Sequence, residues 1–407
     1  MNRFLLLSAV ALSAASAYAA GDITVKKCEA NFLPEAISPN GKWVTGGQYT
    51  WNVETDALIT NEEDTFSLKN VNDNGTAVGN AENYAFSMDA EGSISYINGL
   101  EQYSLAKGIS ADGSLIVGST FDKSWITNAC YWMNGQLHPL TIPEEIEDVD
   151  LNGILGWRAI GVSEDGSVIA GNLMSGMDAG GVVVWQRNAE GEYEFKSMFD
   201  GLMEYGWEEV KPYIMMSAEC ISPNGKWIGL HLQMNDWDDW TLYTGRLNVE
   251  TGEMVKAEGF GDESIGSYFP SAISNDGTII GFTEVKESSM FGRQSVIWPA
   301  DSDNLQYLTE YYNEDADVME LAEGEAMVAT GISADNSKVS GFAILDGVTT
   351  PFVIDRTIST AVETVSSENI NSSKVVYDLQ GNRVNGQLKS GLYIIVENGQ
   401  SQKVMIK

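Results

Sequence analysis

Short apolar, β-branched runs alternate with small polar turns along most of this chain, and the turns repeat. The stretch ISPNGKW at residues 37–43 returns unchanged at residues 221–227. Alignment on it gives seven segments: ISPNG at 37, VNDNG at 71, ISADG at 109, VSEDG at 162, ISPNG at 221, ISNDG at 273 and ISADN at 332. Each sets a β-branched residue, usually followed by Ser, ahead of Asp or Asn and Gly, a dipeptide that accepts the positive φ angles of a tight hairpin turn. In the seventh copy Asn336 replaces Gly, and Asn is the residue that best tolerates the left-handed region after glycine. A second glycine follows four or five residues later in every copy: Gly46, Gly79, Gly118, Gly171, Gly229, Gly281 and Gly341. A one-residue change of spacing would flip side chains across a sheet, so a subset of copies is expected to carry a β-bulge.

Further along each copy an apolar strand ends in a large residue: Trp51, Met88, Trp132, Trp185, Leu247, Trp298 and Ile354. A short turn and another strand-like run follow, as in WNVETDAL beside LNVETGEM. Each unit is therefore four short strands, recurring at intervals that signal a solenoid or propeller, and four-strand units favour the propeller. The expected fold is all-β: a propeller of seven four-stranded blades over residues 22–357, with six or eight blades as the alternative. The seventh unit has no fourth strand of its own before residue 357. The orphan strand DITVKK, residues 22–27, is expected to supply it and remove the exposed edges.

The pattern ISxDGSxIxG followed by AFxW resembles the bacterial extracellular HAF repeat, and ISPNGKW is similar to the SPDGK motif of TolB-type propellers. The resemblance covers about residues 30 to 357. It implies a secreted β-propeller and carries no shared catalytic residues. Met88, Leu247 and Ile354 depart from the Trp position, which any large apolar core residue could fill.

The two ends differ in kind from the repeats. Residues 1–19 hold one basic residue, Arg3, an apolar run from Phe4 and small residues ending at Ala17-Tyr18-Ala19, the organisation of a secretory signal peptide. The apolar run is shorter than the ~20 residues of a bilayer span, and no later run is long enough to be a transmembrane segment. Residues 358–373, rich in Ser and Thr, read as a linker. Residues 374–407 read as a small β-sandwich-like module through VVYDLQGNRV, GLYIIV and QKVMIK. These stretches resemble the C-terminal sorting domain of the type IX secretion system of Bacteroidota, through Tyr377-Asp378-Leu379-Gln380-Gly381, Gly391-Leu392-Tyr393 and Lys403-Val404. That resemblance implies recognition by the secretion machinery and delivery outside the cell or onto its surface; without it the protein would stay in the periplasm.

Charge narrows the partners. With 23 Lys and Arg against 58 Asp and Glu, the chain carries a net charge of -35, which repels nucleic acid and anionic lipid. Three cysteines cannot form a disulfide framework, and buried free thiols are the expectation for Cys130 and Cys220. His138 and His231, the only histidines, lie in different repeats without neighbours at metal-ligand spacing, which argues against a Ser-His-Asp triad or a His-rich zinc site.

In a four-strand blade the ISxDG turns and the turns after the Trp positions share one face. Long insertions fall on the other, in segments such as Gly118 to Trp132, Gly229 to Leu247, and 199 to 215. One-sided insertions commonly build the binding face of a repeat protein. Windows within them, 144–150, 200–210, 236–239, 258–263 and 310–325, are acidic and contain no Lys or Arg. Aromatic residues are interleaved: Trp125, Trp157, Tyr205, Trp207, Trp237, Trp240, Tyr311 and Tyr312. Flat rings stack on sugar faces or cations, and clustered carboxylates can hold Ca²⁺ or a basic partner. Asp236-Trp237-Asp238-Asp239-Trp240, with Trp125 and Trp207, is the candidate site for a glycan or for a cationic peptide or protein, with Ca²⁺ as its candidate cofactor. The competing readings are solvated acids with aromatics that pack the loops, a structural surface protein without a small ligand, and a carbohydrate-active enzyme.

Overall fold

The structure is a computed structural model that describes residues 23–61, 66–97, 103–121, 127–144, 156–175, 178–197, 214–234, 242–259, 265–285, 293–356, 363–365, 375–377, 384, 391–397 and 400–406. Seven four-stranded sheets form the blades of a β-propeller. The third blade is representative: Ser104–Ile109, Leu115–Phe121, Thr127–Met133 and Gln136–Pro139 pair antiparallel in chain order. The seventh blade is completed from the other end of the chain, because Ile23–Lys27 lies beside Val348–Arg356. Cys28 extends the closure, its N–H donating to the Pro351 carbonyl at 2.9 Å.

The turn motif is a hydrogen-bonded unit, which explains its composition. In the third blade Ser110 Oγ donates to Asp112 Oδ1 at 2.7 Å and accepts the N–H of Leu115 at 3.1 Å. The same Asp oxygen accepts the N–H of Ser114. Asn72, which replaces the serine in the second blade, accepts the N–H groups of Asn74 and Thr76 directly. Asn336 has φ 61, so it takes the backbone conformation that glycine takes in the other copies.

Neighbouring turns are also tied together around the ring. Ala111 donates its N–H to the Glu164 carbonyl, Glu164 to Pro223, Asn275 to Ala334 and Ala334 to Pro39. Pro39 and Pro223 have no N–H to give. There the following Asn donates instead: the N–H of Asn40 reaches Asp73 Oδ1 at 2.8 Å, and that of Asn224 reaches Asn275 Oδ1 at 2.7 Å. Both ISPNG copies therefore precede a blade whose turn offers an Asx side chain at the same place, which accounts for the repetition of Pro-Asn.

The bulges differ from the sequence-based expectation. They do not follow the glycine spacing: the inner strand of every blade from the second to the seventh, copies of either spacing, shifts register just before the turn motif. The bulge presses the inner strand's carbonyl onto the second strand, and glycine leaves it room. A Cβ on Gly118 would lie 1.9 Å from the Leu105 oxygen. The variable spacing has two other causes. In the second and sixth blades the turn is a residue shorter, with Val71 opposite Ala77 and Ile273 opposite Ile279, whereas the third pairs Ile109 with Ile116. In the fifth, Gly229 stands opposite Cys220 rather than at the position across from Ala218.

One cross-strand row recurs in the blades and forms their core. Val162, Ile169, Trp185 and Phe195 are in register across the fourth blade, as are Ile109, Ile116, Trp132 and Leu137 across the third. Every residue at the Trp position is buried, including Met88, Leu247 and Ile354. Val182 and Val184 pack toward the fifth blade while Val183 and Trp185 pack toward the third. The unbroken run VVVW is thus the signature of a strand covered on both faces.

Thr24–Asp355 forms one compact unit, and the C-terminal strands belong to a second. In the latter, Glu363–Val365, Gln400–Ile406, Gly391–Glu397 and Val375–Tyr377 form one four-stranded sheet in that order. Glu363–Val365, inside the segment read as a linker, pairs parallel with Gln400–Ile406.

Candidate functional site: the central channel

The inner strands of all seven blades enclose a cavity of about 350 Å³ on the propeller axis. Pro39, Ala111, Glu164 and Pro223 line its end at the turns, and the β-branched residues of the motif, Ile37, Val71, Ile109, Val162, Ile221, Ile273 and Ile332, form an aliphatic waist. Beyond the waist stands a ring of residues that all occupy one repeat position, two places ahead of the β-branched residue. They are Glu35, Lys69, Lys107, Ile160, Glu219, Ser271 and Thr330. In the second to seventh blades this is the unpaired bulge residue, which the extra backbone unit releases from the ladder and turns into the channel. Inner strands run toward the turns, so this ring lies on the side of the waist away from the motif turns.

The ring is charged and asymmetric. Lys69 Nζ sits 2.6 Å from Glu35 Oε1, bridging the first and second blades. Lys107, on the third blade, makes no ion pair within 4 Å among the described residues. Burial, together with the neighbouring charges of Lys69 and Arg158, holds its ammonium below the usual lysine value, while Glu35 and Glu219 act in the opposite sense. Glu219 accepts a hydrogen bond from Ser217 Oγ. The turn end is acidic: burial and then Asp73 and Asp165 push the Glu164 carboxyl above its usual value.

Asp236, Trp237, Asp238, Asp239, Trp240, Trp125 and Trp207 all lie outside the described residues, as does Tyr205. The other interleaved aromatics pack against the blades. Trp157 donates its Nε1–H to the Leu140 carbonyl at 2.7 Å, and Tyr312 is buried with its ring 5.3 Å from that of Tyr311. The acidic window 310–325 takes in the end of one short helix, Leu308–Tyr311, and the whole of another, Ala316–Ala322, which Asp315 caps through the N–H groups of Asp317 and Val318. Among the described residues no group of three or more His, Cys, Asp or Glu is placed to hold a metal ion. His138 stacks on Tyr131, and His231 is held below its usual pKa by burial, against Phe269. Cys28, Cys130 and Cys220 are free thiols.

Sequence reasoning missed the channel ring. Its signal was one alignment column, the residue two positions before each motif, where Lys occurs twice in a chain poor in Lys. No family profile and no curated protein matches the chain. Solved structures do match. An oligogalacturonate lyase in complex with manganese aligns at a TM-score of 0.52 and 10% identity, over 84% of this chain and 94% of that one. A TolB protein from Agrobacterium tumefaciens gives 0.43 at 13% identity, over 65% and 88%, and the Dos1 propeller 0.44 at 12%, over 81% and 93%. At these identities the likeness is one of fold.

Proposed function

We propose that this protein is an exported propeller that binds its ligand on the insertion face, and that its repeats are of the HAF type. The observation that carries the reading is directional: the charged end of the channel lies opposite the short, mutually hydrogen-bonded turns, at the strand ends from which chain order makes the long insertions leave. A face built of such turns has little freedom to vary; the other has much. The ligand is a glycan or a peptide engaged by Trp237 and Trp240, with Asp236, Asp238 and Asp239 as oxygen donors for Ca²⁺ and with Trp125 and Trp207 as further stacking surfaces. The N-terminal segment is read as its export signal and the C-terminal module as its address for the type IX secretion machinery, which places the protein outside the cell or on its surface. Among the described residues no helix is long and apolar enough to cross a membrane.

The test is a glycan and peptide binding screen on the whole protein, scored for turnover as well as capture. Trp237→Ala with Trp240→Ala should weaken any ligand found by at least about tenfold, and a chelator should weaken it further. A ligand indifferent to both substitutions would place the site elsewhere, and turnover without stable capture would favour the enzyme reading.

A further inference from the structure

We infer that the channel ring is a carboxylate-binding site, with Lys107 as the residue that receives the anion. The argument starts from charge. The chain is strongly acidic, yet the second and third blades line this end of the channel with Lys69 and Lys107, and Arg158 of the fourth is close enough to act on the charge of Lys107. The three do not have the same task. Lys69 is already satisfied by Glu35 at 2.6 Å. Lys107 is half-buried, lines the cavity and has no carboxylate within ion-pair distance among the described residues. An ammonium removed from water is costly unless an anion or good acceptors replace its hydration.

The surroundings define the anion. Glu219 and Glu35 limit the positive charge available, so the site suits a single negative charge better than a phosphate dianion. Lysine is a point charge with no planar fork for bidentate recognition. The aliphatic waist beside it, with Ile109 and Val71, offers an apolar wall for the body that carries the carboxylate. A volume of about 350 Å³ falls at the lower end of the range for small-molecule pockets. The fitting ligand is therefore a small monocarboxylate with a compact body, such as an acidic monosaccharide or the free C-terminus of a short peptide. The depressed affinity of Lys107 for its proton agrees with this: a bound anion would oppose both the burial and the neighbouring cations that cause it.

This inference is argued from residues other than Trp237 and Trp240, so the two readings fail independently. The probes are glucuronate against glucose, and N-acetyl-alanyl-alanine against its C-terminal amide, titrated into the whole protein by calorimetry; inorganic phosphate is the anion control. At least one carboxylate should bind at least about tenfold more tightly than its neutral counterpart and than phosphate. Which pair shows the difference identifies the source of the carboxylate. Lys107→Met should abolish that preference, and Lys107→Arg should retain part of it. In protein whose lysines carry ¹³C-methyl labels, the Lys107 resonance should titrate at higher pH when the carboxylate is bound. The inference is overturned if no carboxylate binds at millimolar concentration, if the neutral counterparts or phosphate bind as well, or if Lys107→Met binds normally while its thermal unfolding matches that of the parent.

Discussion

The backbone N–H of Asn224 lies 2.7 Å from Oδ1 of Asn275 in the next blade, and the Asn224 side chain returns a bond to the Asn275 carbonyl at 2.9 Å. This pair takes the place of the backbone link that Pro223 cannot donate. Asn275→Ala removes one bond and leaves the N–H of Asn224 without its acceptor, so it should cost about 1 kcal/mol by denaturant unfolding. Asn275→Asp, which keeps the oxygen and matches Asp73 in the equivalent junction, should cost less.

The two kinds of glycine should respond differently to alanine. At Gly118 a Cβ meets the Leu105 backbone oxygen at 1.9 Å, whereas at Gly135, with φ 73, nothing lies within 4 Å. Gly118→Ala must displace the inner strand and should cost about 3 kcal/mol or prevent folding. Gly135→Ala meets only the left-handed backbone penalty, about 1–2 kcal/mol. Comparable losses at both positions would refute the role given to the bulge.

Two carboxyls should shape the acid response in opposite directions. Hydrogen bonds from the Ser114 N–H and from the Ser110 and Ser114 hydroxyls hold Asp112 below its ordinary 3.8. Its stabilisation is complete above that value and is lost as pH falls through the lower folded value, so Asp112→Asn should flatten the acid limb of a melting-temperature profile. Glu164 is raised above its ordinary 4.5 by burial, Asp73 and Asp165. The folded state therefore favours its protonated form, and stability declines as pH rises through 4.5 to the folded value. Glu164→Gln should raise the melting temperature near neutral pH and change it little below the ordinary value.

Ring closure rests on a strand from the opposite end of the chain. Deleting residues 20–28 removes Ile23–Lys27 and its place beside Val348–Arg356, and should unfold the ring or lower its melting temperature severely. An unchanged melting curve would show that the seventh blade stands without it.

The propeller should fold without the C-terminal strands, since Thr24–Asp355 is a compact unit. A chain ending at Thr360 should be monodisperse and keep its cooperative thermal transition. In the native host it should accumulate in the periplasm; normal delivery to the surface would remove the sorting role proposed for the tail.

Much of the fold was legible because it is written in residues that local geometry demands. The Asp-Gly turns, the second glycines and the large residue of the third strand each answer a constraint that recurs in every blade, and repetition made them visible. Closure was legible too, because DITVKK was a strand without a unit and the seventh unit lacked one. The bulge was wrongly tied to glycine spacing, which confounds turn length with strand position: Gly79 and Gly281 come early after shorter turns, Gly229 for its position in the strand. The channel ring escaped notice for the opposite reason. No backbone constraint fixes its residue type, so Glu35, Lys107, Ile160 and Thr330 share a location without sharing a chemistry.

That freedom has a broader meaning. A residue held outside the pairing register contributes little to specifying the blade, so replacing it leaves the scaffold's instructions intact. The propeller thus keeps an interior set of writable positions, one per blade in the second to seventh blades, whose contents can be exchanged singly or in combination. Selectivity along the axis can diverge between related chains while every turn, glycine and buried Trp remains the same.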